Sequence, residues 1–223
     1  MNKKLFISAI TKFLFGVLLV GLFIFLPAFT LKFVNGWIFM GVLFIPMFIA
    51  GIVMMVKNPT LLESRLDAKE KETTQSVVVK LSGLMFVSGF VIAGLDYRFN
   101  WLQLPILVSV ISAVIFLLGY IMYAEVLREN TYLSRTIKVQ EGQEVIDEKL
   151  YGVVRHPMYL ATVIMFLAIP LILGSLIAFF IFLAYPFLIG IRIINEEKVL
   201  SKELHGYLEY KEKVKYRLIP FIW

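Results

Sequence analysis

The sequence predicts an all-α integral membrane protein, with four transmembrane helices followed by a C-terminal helical hairpin, five to six spans in all, and both termini in the cytoplasm. Three observations carry this expectation. Of 223 residues, 60% are hydrophobic and 17% charged, and a mean hydropathy of +0.84 is more than a soluble domain of this length can hide. The apolar residues gather in runs near the roughly 20 residues that cross a hydrocarbon core. Of the 22 Lys and Arg, all but Lys32 and Arg98 fall at the N terminus, in the 57–80 and 128–155 segments, or from Arg192 onward. That one-sided placement assigns those segments to the cytoplasm.

The runs are Phe13–Leu31, Gly36–Val56, Leu81–Leu95 and Leu104–Ala124, then one from Pro157 to Ile194 long enough to cross and return. Gly174-Ser175 is the natural turn of that last run. The first run follows Lys3, Lys4 and Lys12 as a secretory signal would. It is longer than the roughly 7–15 residue signal core and ends at Pro27, Phe29 and Lys32 without a small-residue cleavage site, so it reads as a retained span. Pro27, Pro46, Pro105, Pro170 and Pro186 lie within spans and shape helices. Gly83 and Gly89 permit close helix contacts. The Lys57 to Lys80 stretch, with KEKE inside it, reads as a solvated connection.

Several function classes drop out. The chain has no cysteine, which removes disulfides, thiolate metal sites and a cysteine nucleophile. Its two histidines, His156 and His205, are too far apart for a helical metal pair, and there is no phosphate-binding GxxxxGK[ST] loop. Gly16 and Gly21 sit in a membrane run, outside any soluble dinucleotide fold. Topology and anionic headgroups account for the net charge of +6 without nucleic acid. A transporter would show mid-membrane charges and a repeat between halves; here the charges cluster at one rim.

The informative stretch is YGVVRHPMYLA, residues 151–161. Pro157 suits the first position of a helix, which leaves His156 at the cap and Arg155 just outside. The unpaired amides of such a start favour an anion. His156 and Glu196 lie nearly equidistant from the Gly174-Ser175 turn, so at about 1.5 Å per helical residue they return to similar depth. The expected pocket gathers Arg155, His156 and Tyr159 with Arg192, Glu196 and Glu197, which suits a zwitterionic, hydroxyl-bearing ligand. Each residue has a plainer reading beside this one. His156 is a helix cap, Arg155 a headgroup anchor, Tyr151 and Tyr159 interfacial aromatics, and Arg192 with Glu196 a structural pair four residues apart. Glu197 then points to solvent, and Tyr207, Tyr210 and Arg217 brace the tail.

RHPMY at 155–159, RIINEEKVL at 192–200 and GYLEYKEKVKYRLIPF at 206–221 together resemble the isoprenylcysteine carboxyl methyltransferase family, and more loosely the related phospholipid methyltransferases. The resemblance spans roughly Asn130 to Phe221. It implies a membrane methyltransferase using S-adenosylmethionine at the cytoplasmic face, with a lipophilic acceptor entering sideways from the bilayer. Carried onto matching positions, Tyr151, His156, Pro157, Met158, Tyr159 and Glu196 contact the cofactor, with Arg155 beside them. Arg192 faces the methyl acceptor. The loop VQEGQEVI occupies the place where the family wraps the cofactor, which adds Gln140, Gln143, Glu144, Val145 and Ile146. One departure is Asp147-Glu148-Lys149-Leu150, where relatives carry a glycine-containing turn. The chain is then divided into N-terminal transmembrane helices, 1–127, and a catalytic region, 128–223, within one structural domain.

A carboxylate acceptor is already ionised at neutral pH and needs no base; Arg192 could hold it bidentately. A phenol or amine would need one, and His156 or Glu197 would be nearest. Two other classes stand beside this reading. One is an oxidoreductase of the sterol-reductase type, whose C-terminal half is similar but which is much longer and requires nicotinamide-binding features not found here. The other is a transporter or non-catalytic membrane scaffold.

Overall fold

The computed structural model describes residues 3–66, 73–133 and 139–223. Among them the chain is helical and without strands: α1 Lys3–Ala28, α2 Val34–Lys57, α3 Pro59–Leu66, α4 Thr73–Phe99, α5 Ile106–Glu129, α6 Pro157–Ile172, α7 Leu176–Phe182, α8 Ala184–Glu203 and α9 Tyr207–Lys213. Helices α1, α2, α4, α5 and the arm Leu176–Glu203, formed by α7 and α8 together, are long and apolar enough to cross a membrane. The protein is therefore an integral, multi-pass membrane protein built as four helices plus a hairpin. Its other arm, α6, has only 16 residues, fewer than the roughly 20 of a full crossing.

Proline and left-handed residues punctuate these helices. Pro27 lies in the last turn of α1, and Phe29 follows at φ 55°. The break at Leu183 between α7 and α8 has a local cause: Pro186 has no N–H for the Phe182 carbonyl and its ring crowds it. The segment expected as a plain connection, Lys57 to Lys80, instead holds α3 and the first turns of α4. Leu61 and Leu62 of α3 are buried, as is Val78 of α4, so apolar side chains fold it back onto the bundle. Its KEKE run lies outside the described residues.

The hairpin turns where expected. Gly174 adopts φ +74°, a left-handed conformation open to glycine at little cost. The turn is clamped by the α4–α5 connection: the Leu104 amide donates to the Gly174 carbonyl at 2.8 Å, and Leu176 to Leu102 at 3.3 Å. Asp96, fully buried at the end of α4, accepts from the Leu102 amide at 2.8 Å and from the Ser175 hydroxyl. Satisfying both carboxylate oxygens is what permits an acid at this depth.

The core between the hairpin and the four helices is aromatic. Phe39 lies 5.6 Å from Phe90 and 6.3 Å from Phe116, and Phe90 lies 6.3 Å from Phe182. Gly89 makes room for this packing, since a Cβ there would sit 2.3 Å from the Phe182 ring. Gly83 does not share that role: a Cβ there would meet nothing within 4 Å. The net result places the N-terminal end of α6 beside the C-terminal half of α8, at the end of the bundle opposite the Gly174-Ser175 turn.

Candidate functional site

Residues before a proline are pushed away from helical geometry, and His156 takes φ −127°, ψ 60° as Pro157 opens α6. Although His156 stands at the cap position, its side chain makes no capping hydrogen bond. The tail holds this bend instead: the amides of Arg155 and His156 donate to the carbonyls of Tyr216 and Arg217, both at 2.9 Å. The released side chains of Arg155 and His156 turn toward α8.

There they meet Glu197. Arg155 Nε donates to its Oε1 at 2.7 Å, His156 Nε2 lies 3.3 Å from the same oxygen, and Arg217 Nε donates to Oε2 at 3.0 Å. The Arg155 guanidinium also donates to the carbonyls of Val214 and Lys215 at 2.7 and 2.9 Å. Glu197 is 4% exposed, so the solvent-facing alternative is wrong. Its position was legible: Ile189, Ile193 and Glu197 are spaced by four, one stripe of a helix face, and all three are buried. With both oxygens engaged by cations, Glu197 is a structural counter-ion and not a free base.

Glu196, one position earlier, serves a different group. The Tyr159 hydroxyl donates to Glu196 Oε2 and accepts from Arg192 Nε at 2.9 Å. Arg192 and Glu196 share a helix face as expected, with the phenol of Tyr159 bridging them. The His156 and Tyr159 rings stack at 5.7 Å. Each element thus contributes for a reason: α6 through its proline-fixed start, and α8 through its register against that start.

A cleft opens above this pair, with an empty volume of about 830 Å³ counting the open solvent at its mouth. Tyr151, Arg155, His156, Met158, Tyr159, Arg192 and Glu196 line it, together with Gln143, Glu144, Val145 and Ile146 of the preceding loop. Besides Glu197, two expected residues lie outside the lining. Gln140 braces the loop, its side-chain amide donating to the Tyr132 carbonyl and its backbone amide to Gln143 Oε1 at 2.9 Å. Pro157 is buried at the helix start and sets geometry without facing the cavity. The Asp147-Glu148-Lys149-Leu150 departure leads into a 3-10 turn at Lys149–Gly152. That turn presents the Tyr151 hydroxyl to Asn130 Nδ2 at 3.2 Å and its carbonyl to the Tyr210 hydroxyl at 2.8 Å.

The structure also adds residues that sequence reasoning had not assigned to the cleft. Asn130, Tyr132, Tyr207 and Tyr210 line it, the last two because Leu204, Tyr207, Tyr210 and Val214 pack with Val139 and Val145 and bring the tail over the loop. Arg65 of α3 reaches Tyr123 and lies 3.9 Å from the Met158 sulfur. No periodic signal links α3 to α6, so this contact was not legible. Burial pushes the phenols of Tyr151, Tyr207 and Tyr210 well above the ordinary value for tyrosine. They are neutral hydroxyls at physiological pH.

The donor set fits a charged, hydroxyl-bearing nucleoside ligand. Glu196 and Glu144 offer carboxylates, Arg155 a buried cation, and several tyrosines flat apolar walls. The Tyr207 hydroxyl is buried without a partner among the described residues. No group of three or more metal-ligating side chains occurs among the described residues.

Comparison with known proteins falls on the same segment. Residues 106–205, from the start of α5 to the end of α8, match the phospholipid methyltransferase family. RHPMY and RIINEEKVL lie inside that match; the tail beyond Leu204 and His205 does not. Delta(14)-sterol reductase of Mus musculus is 34% identical over 91 residues, 40% of this chain and 22% of the reductase. The match thus spans about a fifth of that relative's length.

Proposed function

We propose that this multi-span membrane protein, which carries a phospholipid-methyltransferase-type segment over residues 106–205, is an S-adenosylmethionine-dependent methyltransferase acting on a lipophilic acceptor, in the manner of the isoprenylcysteine carboxyl methyltransferases. The observation that carries the reading is the convergence of the α6 start and the α8 end on one cleft, with Tyr159 joining Arg192 to Glu196. Both helices belong to the matched segment.

Bound S-adenosylmethionine would supply an electrophilic methyl group on a sulfonium. The chain's own residues bind and orient. Glu196, Tyr151, Met158 and the loop residues Gln143 to Ile146 line the cofactor side of the cleft. Arg192, whose Nε donates to Tyr159, lines the acceptor side of the cleft, and a guanidinium matches a carboxylate bidentately. A carboxylate acceptor requires no proton removal at neutral pH. Consistent with that, Glu197 is fully occupied as a counter-ion. Positioning and water exclusion are then the main contributions asked of the protein.

The acceptor is a lipophilic molecule or lipidated group reaching the cleft from the bilayer, and the cleft opens to the cytoplasm. Supporting the orientation, among the Lys and Arg of the described residues only Lys32, in the α1–α2 connection, and Arg98, in the last turn of α4, lie at the opposite end. A second reading, a reductase binding a nicotinamide dinucleotide, is favoured by the likeness to the sterol reductase.

Calorimetry on the detergent-purified protein tests both. Saturable binding of S-adenosylmethionine, weakened in His156→Ala and Glu196→Ala, supports the methyltransferase. Binding of NADPH without S-adenosylmethionine supports the reductase. A folded protein that binds neither, in detergent and in bilayer discs, overturns both.

A further inference from the structure

The Tyr207 hydroxyl presents a physical inconsistency that a ligand resolves. Tyr207 is 4% exposed, and a phenol so enclosed ordinarily finds a hydrogen-bond partner. Its neighbours all have theirs: Tyr151 is bonded to Asn130, Tyr210 to the Tyr151 carbonyl, and Tyr159 to Arg192 and Glu196. Tyr207 alone of these four has none among the described residues, although Glu196, Glu197 and Arg155 lie close enough to act on it electrostatically. Those three groups are committed elsewhere, Glu196 to Tyr159 and Arg155 to Glu197.

The backbone shows how the side chain comes to face inward. Gly206 takes φ +80° between α8 and α9, a conformation that L side chains rarely adopt. That turn swings Tyr207 back over Leu200 and Leu204, so that its ring packs 5.7 Å from Tyr210 and it lines the cleft. Apolar packing explains the ring. It does not explain a hydroxyl, because phenylalanine would fill the same space without burying an unpaired donor.

We propose that Tyr207 is a ligand-binding residue of the cleft, its hydroxyl donating a hydrogen bond to an acceptor atom of the S-adenosylmethionine held there. The inference rests on the methyltransferase reading and adds a contact from the tail, beyond the 106–205 segment. The neutral phenol has a proton to give throughout the physiological range, and the two carboxylates that act on it, Glu196 and Glu197, already accept from other side chains. A ligand held in the cleft supplies the missing acceptor.

This gives Tyr207→Phe a pair of opposite effects. Without ligand, the variant loses no protein hydrogen bond and melts at or above the wild-type temperature. With ligand, it loses one bond, and the dissociation constant for S-adenosylmethionine rises about threefold to tenfold. A purely structural tyrosine moves neither quantity in that combination. Tyr210→Phe is the contrast, since its hydroxyl holds the Tyr151 carbonyl: it lowers the melting temperature of the unliganded protein.

The experiment is calorimetric titration of S-adenosylmethionine into detergent-purified wild type, Tyr207→Phe and Tyr210→Phe, with melting curves of each unliganded protein. Weaker binding by Tyr207→Phe at undiminished thermal stability is the expected result. Equal affinity in wild type and Tyr207→Phe overturns this inference and leaves the methyltransferase reading standing. No binding by wild type overturns both. Should Tyr207→Phe fail to fold, 3-fluorotyrosine placed at 207 or at 210 in otherwise wild-type protein keeps the question open to measurement: a fluorine signal at 207 that ignores saturating S-adenosylmethionine refutes the contact.

Discussion

Arg155 and Glu197, 42 positions apart in the chain, meet at 2.7 Å with both side chains 5% exposed. Glu197 at once neutralises Arg155, accepts from Arg217 and faces His156, so a single carboxylate ties α6, α8 and the tail together. Such buried ion clusters add little compared with apolar replacements, yet removing one member is costly because the rest remain buried and uncompensated.

Glu197→Ala is accordingly expected to destabilise the protein by about 3–5 kcal/mol. Thermal unfolding in detergent reads this directly. In a double-mutant cycle with Arg155→Met the two losses should be strongly non-additive, since the second change removes the charge that the first left stranded. A Glu197→Ala protein that melts with wild type would remove the cluster's structural role.

Tyr159 makes a different kind of link, between Glu196, which the proposed function puts on the cofactor side, and Arg192, which it puts on the acceptor side. Arg192→Lys keeps the charge and loses the planar fork. For transfer of labelled methyl to a farnesylcysteine carboxylate, kcat/KM is expected to fall about 10-fold to 100-fold, while S-adenosylmethionine affinity changes less than about twofold. Loss of cofactor affinity of the same size as the loss in kcat/KM would move Arg192 to the cofactor side.

Much of this was written in the sequence at two periodicities. Runs of apolar residues placed the four helices and the hairpin, and helical rise brought His156 near Glu196 and Glu197. The helix face that carries Ile189 and Ile193 also carries Glu197, so its burial was legible although the solvent-facing alternative had been left open. What was not legible came from contacts without a repeat. Arg65 reaches Met158 from a short helix inside a charged connection, and the Asp96–Ser175 clamp joins residues 79 apart. Tyr207 enters the cleft only because Gly206 turns the chain left-handed.

Glycine use in α4 gives a paired test of packing. At Gly89 an added methyl would lie 2.3 Å from the Phe182 ring, whereas at Gly83 it meets open space. Gly89→Ala therefore overpacks the core and should cost about 1–3 kcal/mol, partly restored by Phe182→Leu. Gly83→Ala should be neutral or stabilising by up to about 1 kcal/mol through helix propensity. Equal melting temperatures for the two single variants would contradict the helix register.

Alkaline pH offers the last test, through three of the buried phenols of the cleft. Burial raises Tyr151, Tyr207 and Tyr210 above the ordinary value, and at Tyr207 the carboxylates of Glu197 and Glu196 push in the same direction. The folded protein therefore retains these protons over a range in which the unfolded chain has released them. The stability they contribute is fully present below the unfolded value of about 10. It is lost as pH rises from there through the folded values, because the unfolded state then binds fewer protons. Removing one such phenol should flatten the decline by up to about 1.4 kcal/mol per pH unit above pH 10. Stability of wild type and Tyr207→Phe, measured by denaturation between pH 8 and about pH 11.5, should run parallel up to pH 9 and diverge above it, with the variant losing stability more slowly. Parallel curves throughout would mean that Tyr207 ionises in the folded protein as freely as in the unfolded chain, which a phenol sealed against Tyr210 and Leu204 does not do.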